Sequence, residues 1–228
     1  MATIHNTTMT PGKLDLLAAW LPGQPWYRGT AKPALTRAGG FRLDDPDGQV
    51  GIEFMAVTDS AGAGATSYLV PLTYRGSPLE AATAGLIGTA EHGVLGRRWV
   101  YDGMCDPVLV AQLIALIQGG TAAQAQTVSD TPDPTVSSSP ITDRALVPLT
   151  SAVCASNQDG TELRVTTVDP DGAAAGVVTL VVSRVLRDTP PTVGQPGAVT
   201  AGWQQPDGGA ARSLIVSASY ASAPVPQS

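Results

Sequence analysis

Apolar positions along this chain recur with two different periods, and the switches between them outline the elements. Leu14, Leu17 and Leu21 repeat at i, i+3, i+7, with Leu16 and Trp20 beside them, which predicts a helix with one apolar face. Thr10-Pro11 offers a hydroxyl cap followed by proline at the first helical position, and Pro22-Gly23 ends the run. A period of two follows. "ALTRAGGFRL" (34–43) and "QVGIEFMAVT" (49–58) flank the turn "DPDG". In the second run Val50, Ile52, Phe54 and Ala56 alternate with Gly51, Glu53 and Met55, as in a half-buried strand. "YLVPLTYRG" (68–76) predicts a third strand, placed at an edge or a bulge by Pro71. "GRRWVYDG" (96–103) predicts a short fourth. Helical spacing returns after Asp106-Pro107, again a cap plus proline: Leu109, Leu113 and Leu116 line one face of 108–117, and Val110, Ile114 and Ile117 widen it. Gly119-Gly120 closes that helix.

Periodicity then lapses. Residues 121–143 are polar and Pro/Ser-rich, the pattern of a linker or exposed loop. Beyond them the chain reads as all-β. Runs at 145–155, 162–169, 176–186, 198–204 and 211–220 are separated by "NQDG", "DPDG", "TPPTVGQPG" and "QPDG". The tail "ASAPVPQS" is expected to be disordered. The turn motif recurs but its flanking strands do not match, so there is no internal repeat.

Composition narrows the function classes. The 228 residues carry 25 Gly and 19 Pro, which favours short strands and turns over long helices. Net charge is −6 and lysine occurs only at Lys13 and Lys32, so a nucleic-acid partner is not expected. No apolar run is long enough to span a membrane, and the N-terminus lacks the regions of a signal peptide, which predicts a cytoplasmic protein. Cys105 and Cys154 fall in different halves and are expected to be reduced.

Few residues suggest chemistry. "DDPDG" (44–48) clusters carboxylates but lacks the remaining ligands and the final Glu of a calcium loop, which leaves a solvated hairpin turn. His5 lies near the terminus. Glu91-His92 could pair as a general base, yet adjacent side chains diverge and no third partner is evident. Two His and two Cys are too few for zinc, and neither a nucleophile elbow nor a P-loop is present. No catalytic, metal or cofactor-binding residue is therefore assigned. The remaining candidates are aromatic: Trp26, Tyr27 and Arg28 in "LPGQPWYRG", and Trp99, Tyr101 and Asp102 in "WVYD". They suit a sugar platform or a protein-contact patch. They equally suit rings that seal the rim of a small sheet.

"LAAWLPGQPWYRG", "YLVPLTYRGSPLE" and "LIGTAEHGVLGRRWVYDGMCDPVLVAQLIALI" together resemble the N-terminal cap region of maltokinases, over residues 10–118. The resemblance implies an α+β fold, a curved antiparallel sheet packed on a few helices, followed here by a mainly antiparallel β region. The domains expected are a cap-like domain at 1–120, a linker or exposed loop at 121–143 and a β-rich region at 144–228. Maltokinases phosphorylate maltose with ATP, through a downstream kinase-like fold. That chemistry needs a phosphate-contacting Lys and a His-containing catalytic loop. No lysine follows Lys32 and no histidine follows His92. The resemblance thus implies a non-catalytic protein tied to maltose, trehalose or α-glucan metabolism, acting on a protein partner or a glucan. The alternative is a β-rich carbohydrate-binding module using Trp26, Tyr27, Trp99, Tyr101 or Trp203.

Overall fold

The computed structural model describes residues 9–30, 32–62, 64–128, 130–189 and 194–223. His5 and the last five residues of the tail lie outside them. The order is β1 (Met9–Thr10), α1 (Lys13–Trp20), β2 (Leu35–Leu43), β3 (Gly51–Asp59), β4 (Thr66–Arg75), β5 (Leu86–His92), β6 (Gly96–Asp102), α2 (Pro107–Ile117) and β7 (Gln124–Ala125). There follow β8 (Ser137–Ser138), β9 (Val147–Asn157), β10 (Gly160–Val168), β11 (Ala174–Ser183), β12 (Ala198–Gln204) and β13 (Ala210–Ser222). They form two curled antiparallel sheets, β1-β5-β6-β4-β3-β2-β7 and β8-β12-β13-β11-β10-β9. Residues 121–143 run between the two sheets and give a two-residue strand to each, β7 against β2 and β8 against β12. The protein is mostly antiparallel β. The expected α+β class overstates the helices, because Pro22-Gly23 and Gly119 stop them at 8 and 11 residues.

The layers follow from the strand pattern. One face of the first sheet (Phe41, Phe54, Ala56, Leu69) packs with α2 on the inner face of the second (Leu163, Val165, Val178, Leu180) in a single cluster. Phe41 and Phe54, the only phenylalanines, are register partners with rings stacked at 4.6 Å. The other face of the first sheet (Met55, Val57, Val70, Leu72) packs under Leu17, Leu21 and Trp26. β3 is therefore buried on both faces, not half-buried: α1 covers the side its alternation assigned to solvent.

Two local expectations need correction. Helix α1 starts at Lys13, not after Thr10. Thr10 is taken by β1, opposite Glu91, and Gly12 becomes the cap, with its N–H donating to Asp15 Oδ2 at 3.2 Å. Pro71 lies in a central strand, between β3 and β6. β6 pairs only from Leu72 onward, while the N-terminal half of β4 binds residues 184–186 (Leu69 N–H to Arg184 O, Leu186 N–H to Ser67 O). Proline falls where that edge changes partner, so its missing N–H is not needed. The second half is all-β as expected: its five runs pair as β9 to β13, with β12 at the residues expected.

Helix α2 forms as expected. Asp106 caps it through Val108 N–H at 3.0 Å, proline takes the first position and Gly119 follows at φ +74°. Leu109, Leu113, Ile114 and Ile117 are almost fully buried. Among the described residues no helix is long and apolar enough to cross a membrane. Replacing Leu113 with Asp places an unpaired carboxylate at the centre of this core. The expected loss is several kcal/mol, against a typical total of about 5–15. Urea unfolding of the variant checks it: an unchanged midpoint would mean that the face is exposed.

Candidate functional site at the junction of the sheets

The chain leaves α1 through the turn at Leu21–Gly23 and brings Trp26 back over the first sheet. Trp26 is fully buried. Its ring meets Trp20 edge-on at 5.8 Å and Tyr68 of β4 at 5.8 Å. Tyr27, half-buried, lies 5.6 Å from Tyr68 and donates to Asp59 Oδ2 at 2.8 Å. Burial, then the Asp59 carboxylate, push the Tyr27 hydroxyl up to about 12. Arg28 is exposed, but its backbone N–H donates to the Tyr68 hydroxyl at 3.0 Å. A side chain at Gly29 would collide with the Tyr27 ring, which is why glycine ends this stretch.

Arg184 also lies over the Trp26 ring, its guanidinium carbon 5.1 Å from the centroid. It is fully buried. Its Nη2 donates to Asp102 Oδ1 at 2.9 Å and Oδ2 at 2.6 Å, and its Nε to Thr161 Oγ1 at 2.8 Å. Asp102 ends β6 and also accepts from Met104 N–H at 3.1 Å. One cation thus ties the first sheet, the second sheet and the Trp26 loop. Such a pair adds little net stability over apolar packing, but removing one partner leaves a buried charge and costs about 3–5 kcal/mol.

A second buried charge lies in the same row of the first sheet, since Glu53 and Asp102 are both register partners of Leu72. Glu53 of β3 accepts from Lys13 Nζ at 2.5 Å, Tyr74 Oη at 2.6 Å, Gln126 Nε2 at 2.9 Å and Arg37 Nη2 at 3.2 Å. Burial pushes its carboxyl up. The Lys13 charge and hydrogen bond, the Tyr74 hydroxyl and Arg37 outweigh this and hold it below its ordinary 4.5. Burial, then the Glu53 charge, drive Tyr74 well above 10. This carboxylate clips α1, β2, β4 and the connecting segment to one strand.

The remaining candidates are also engaged inside the fold. Tyr101 is buried and its hydroxyl accepts from Leu79 N–H at 2.8 Å. Trp99 is half-buried on β6. Arg75 grips the buried Asp106 cap with two 2.7 Å bonds. His92 Nδ1 accepts from Val94 and Leu95 N–H, closing the β5–β6 turn, while Glu91 pairs with Arg97. Asp45 caps the "DPDG" turn by accepting from Asp47, Gln49 and Val50 N–H. Trp203 lies in the core and donates to Ser213. Among the described residues no three His, Cys, Asp or Glu converge as metal ligands. The gap between the sheets, lined by Phe41, Leu69, Leu186 and Trp203 among others, is apolar and no larger than a water-sized body.

Of the six candidates, the structure draws Trp26, Tyr27 and Asp102 together around Tyr68 and Arg184. Trp26, Tyr101 and Asp102 are inside the protein and present no face to a sugar; Tyr27, Arg28 and Trp99 remain partly accessible. Arg184, Tyr68 and Glu53 were missed. The signal for Arg184 is a cation inside the apolar run "GVVTLVVSRVL", where a strand has no other reason to hold one.

Residues 20–106 match the family of the maltokinase N-terminal cap domain. The match runs from the end of α1 to the cap of α2 and leaves the second sheet outside. No curated protein matches the chain.

Two expectations follow. Trp26→Ala removes a fully buried indole and should cost about 3–5 kcal/mol by thermal or urea melting; a melt within error of wild type would show the ring to be dispensable for packing. For Glu53, the folded carboxyl lies below its unfolded value, so its stabilisation is present above pH 4.5 and lost as pH falls through the folded value. Glu53→Gln should lose roughly 2–3 kcal/mol at neutral pH and flatten the acid limb of stability against pH. Parallel acid limbs in the two proteins would refute this.

Proposed function

We propose that this protein is a non-catalytic cap-type module of maltose, trehalose or α-glucan metabolism, which acts by contacting a protein of that metabolism. The match of residues 20–106 to the maltokinase cap family carries the reading. Two further points support it. The chemistry-bearing side chains of the matched motifs are bonded inside the fold: Tyr74 to Glu53, Arg75 to Asp106, Tyr101 to Leu79, Asp102 to Arg184. The chain beyond them supplies no lysine or histidine for a kinase site.

A direct α-glucan contact is the alternative, and the half-buried Trp99 and Tyr27 are the rings it would use. Trp26, Tyr101 and Trp203, buried as they are, give no concave aromatic row. Purified protein should not turn over maltose with ATP, should migrate unretarded through a glycogen-containing native gel, and should co-elute with a maltokinase. Retardation abolished by Trp99→Ala would replace the protein-contact reading with the glucan one. Turnover above background would end both.

A further inference from the structure

We propose that β9, the outer strand of the second sheet, pairs antiparallel with β9 of a second copy of this chain, about a two-fold axis at Cys154. The edges of the two sheets are unlike one another. β1, β7 and β8 are two-residue strands that each cover a short stretch of a neighbour. β9 runs for 11 residues, Val147–Asn157, and among the described residues no strand lies beyond it. Natural sheet edges are guarded by charged side chains, proline or bulges. Pro148 and a slip in register guard the start of β9, but no charged residue occurs between Arg144 and Asp159. Residues 154–157 are all exposed, and so are Val147 and Leu149.

The ladder fixes which backbone groups are available. Asn157 pairs with Gly160 across a two-residue turn, and such a turn closes on a hydrogen-bonded pair. On the far side of β10, Asp169 N–H donates to Ala173 O, so the odd-numbered residues of β10 face β11 and the even-numbered ones face β9. Gly160, Glu162 and Arg164 therefore bond Asn157, Ala155 and Val153. Ala152, Cys154 and Ser156 turn their N–H and C=O groups outward. Before Ala152 the register slips, and Pro148 has no N–H to offer. The flat part of the edge is thus the row Ala152, Cys154, Ser156, and its middle is Cys154.

That row chooses the occupant. An antiparallel partner must present outward groups at the same spacing. A second copy turned about Cys154 does so at every position. Ala152 meets the partner's Ser156, Cys154 meets the partner's Cys154, and each outward N–H finds an outward C=O. The contact uses the same patch on both copies and closes on itself, so it gives a dimer and not a fibre. Each chain carries a net charge of −6, yet no like charges meet along this strand, because neither copy holds any there. Beyond the row, the partner's turn at 158–159 extends toward the exposed Leu149.

The test is sedimentation of the whole protein, with dithiothreitol present, over a wide range of concentration. The expected result is a monomer that becomes a dimer reversibly as concentration rises, in wild type and in Cys154→Ser alike. Cys154→Lys and Cys154→Glu put like charges face to face on the axis, and each should dimerise at least about tenfold more weakly. Mixed in equal amounts, the two variants bring opposite charges together there, and dimerisation should return. Amide exchange followed by NMR reads the same row in wild type without a substitution. The amides of Cys154 and Ser156 should slow as the dimer forms, while those of Val153 and Ala155 are slow throughout. A wild type that stays monomeric at every concentration, a dimer that survives both charge variants or is lost in Cys154→Ser, a mixture of the folded charge variants that stays monomeric, or outward amides indifferent to dimer formation would overturn the proposal.

Discussion

The buried Arg184–Asp102 pair is the constraint around which the two sheets are arranged. A guanidinium with no solvent contact needs a carboxylate, and Asp102 supplies both oxygens at 2.9 and 2.6 Å. Any docking that separated them would leave two buried charges unpaired. The Trp26 face adds a cation–π contact. Arg184 Nη1 has no hydrogen-bond partner among the described residues, which fits a cation held more for orientation than for maximal bonding. The pair therefore sets where β11 exits relative to β6. The backbone of residues 184–186 follows by binding the free half of β4.

Local order propagates from there. Because residues 184–186 take the N-terminal edge of β4, β6 is confined to Leu72 onward, and its last residue is Asp102 itself. Asp102 then starts the turn that delivers Asp106 to cap α2, and Arg75 of β4 fixes that cap. The ion pair, the cap and the strand edge reinforce one another. Glu53, two strands from Asp102 in the same row of the sheet, performs a similar office, where one carboxylate satisfies groups from four segments. Polar side chains that look available for chemistry in the sequence are here the means of joining elements.

How much of this was legible depended on range. Elements set by local rules were readable: α2 from Asp106-Pro107 and its apolar face, β12 and β13 as runs set off by turn motifs, the "DPDG" hairpin from its turn residues. The start of α1 was misplaced because Thr10 is claimed by a strand eighty positions away. Glu53 read as solvent-facing because a period of two gives a strand's faces but not what covers them; Lys13 and Gln126 come from elsewhere in the chain. The role of the aromatic candidates was not legible, because stacking on a ligand and sealing a core use the same rings. Only burial separates those roles, and burial is a property of the assembled sheets.

The extent of the core bears on how the cap-like segment is used. The family match ends at Asp106, where α2 begins. Helix α2 is apolar around much of its circumference, with Leu109, Val110, Leu113, Ile114, Leu116 and Ile117 all buried. Such a helix needs apolar cover on more than one side. One side is the first sheet. The other is the second sheet, and the two form one continuous cluster from Ala38 to Ala218. The β-rich half thus completes a core that the matched segment leaves open. The same logic assigns the second sheet a structural role first: its inner face is committed to α2 and the first sheet. Outside that core lie the half-buried Trp99 and the exposed Val94 and Leu95 at the β5–β6 turn.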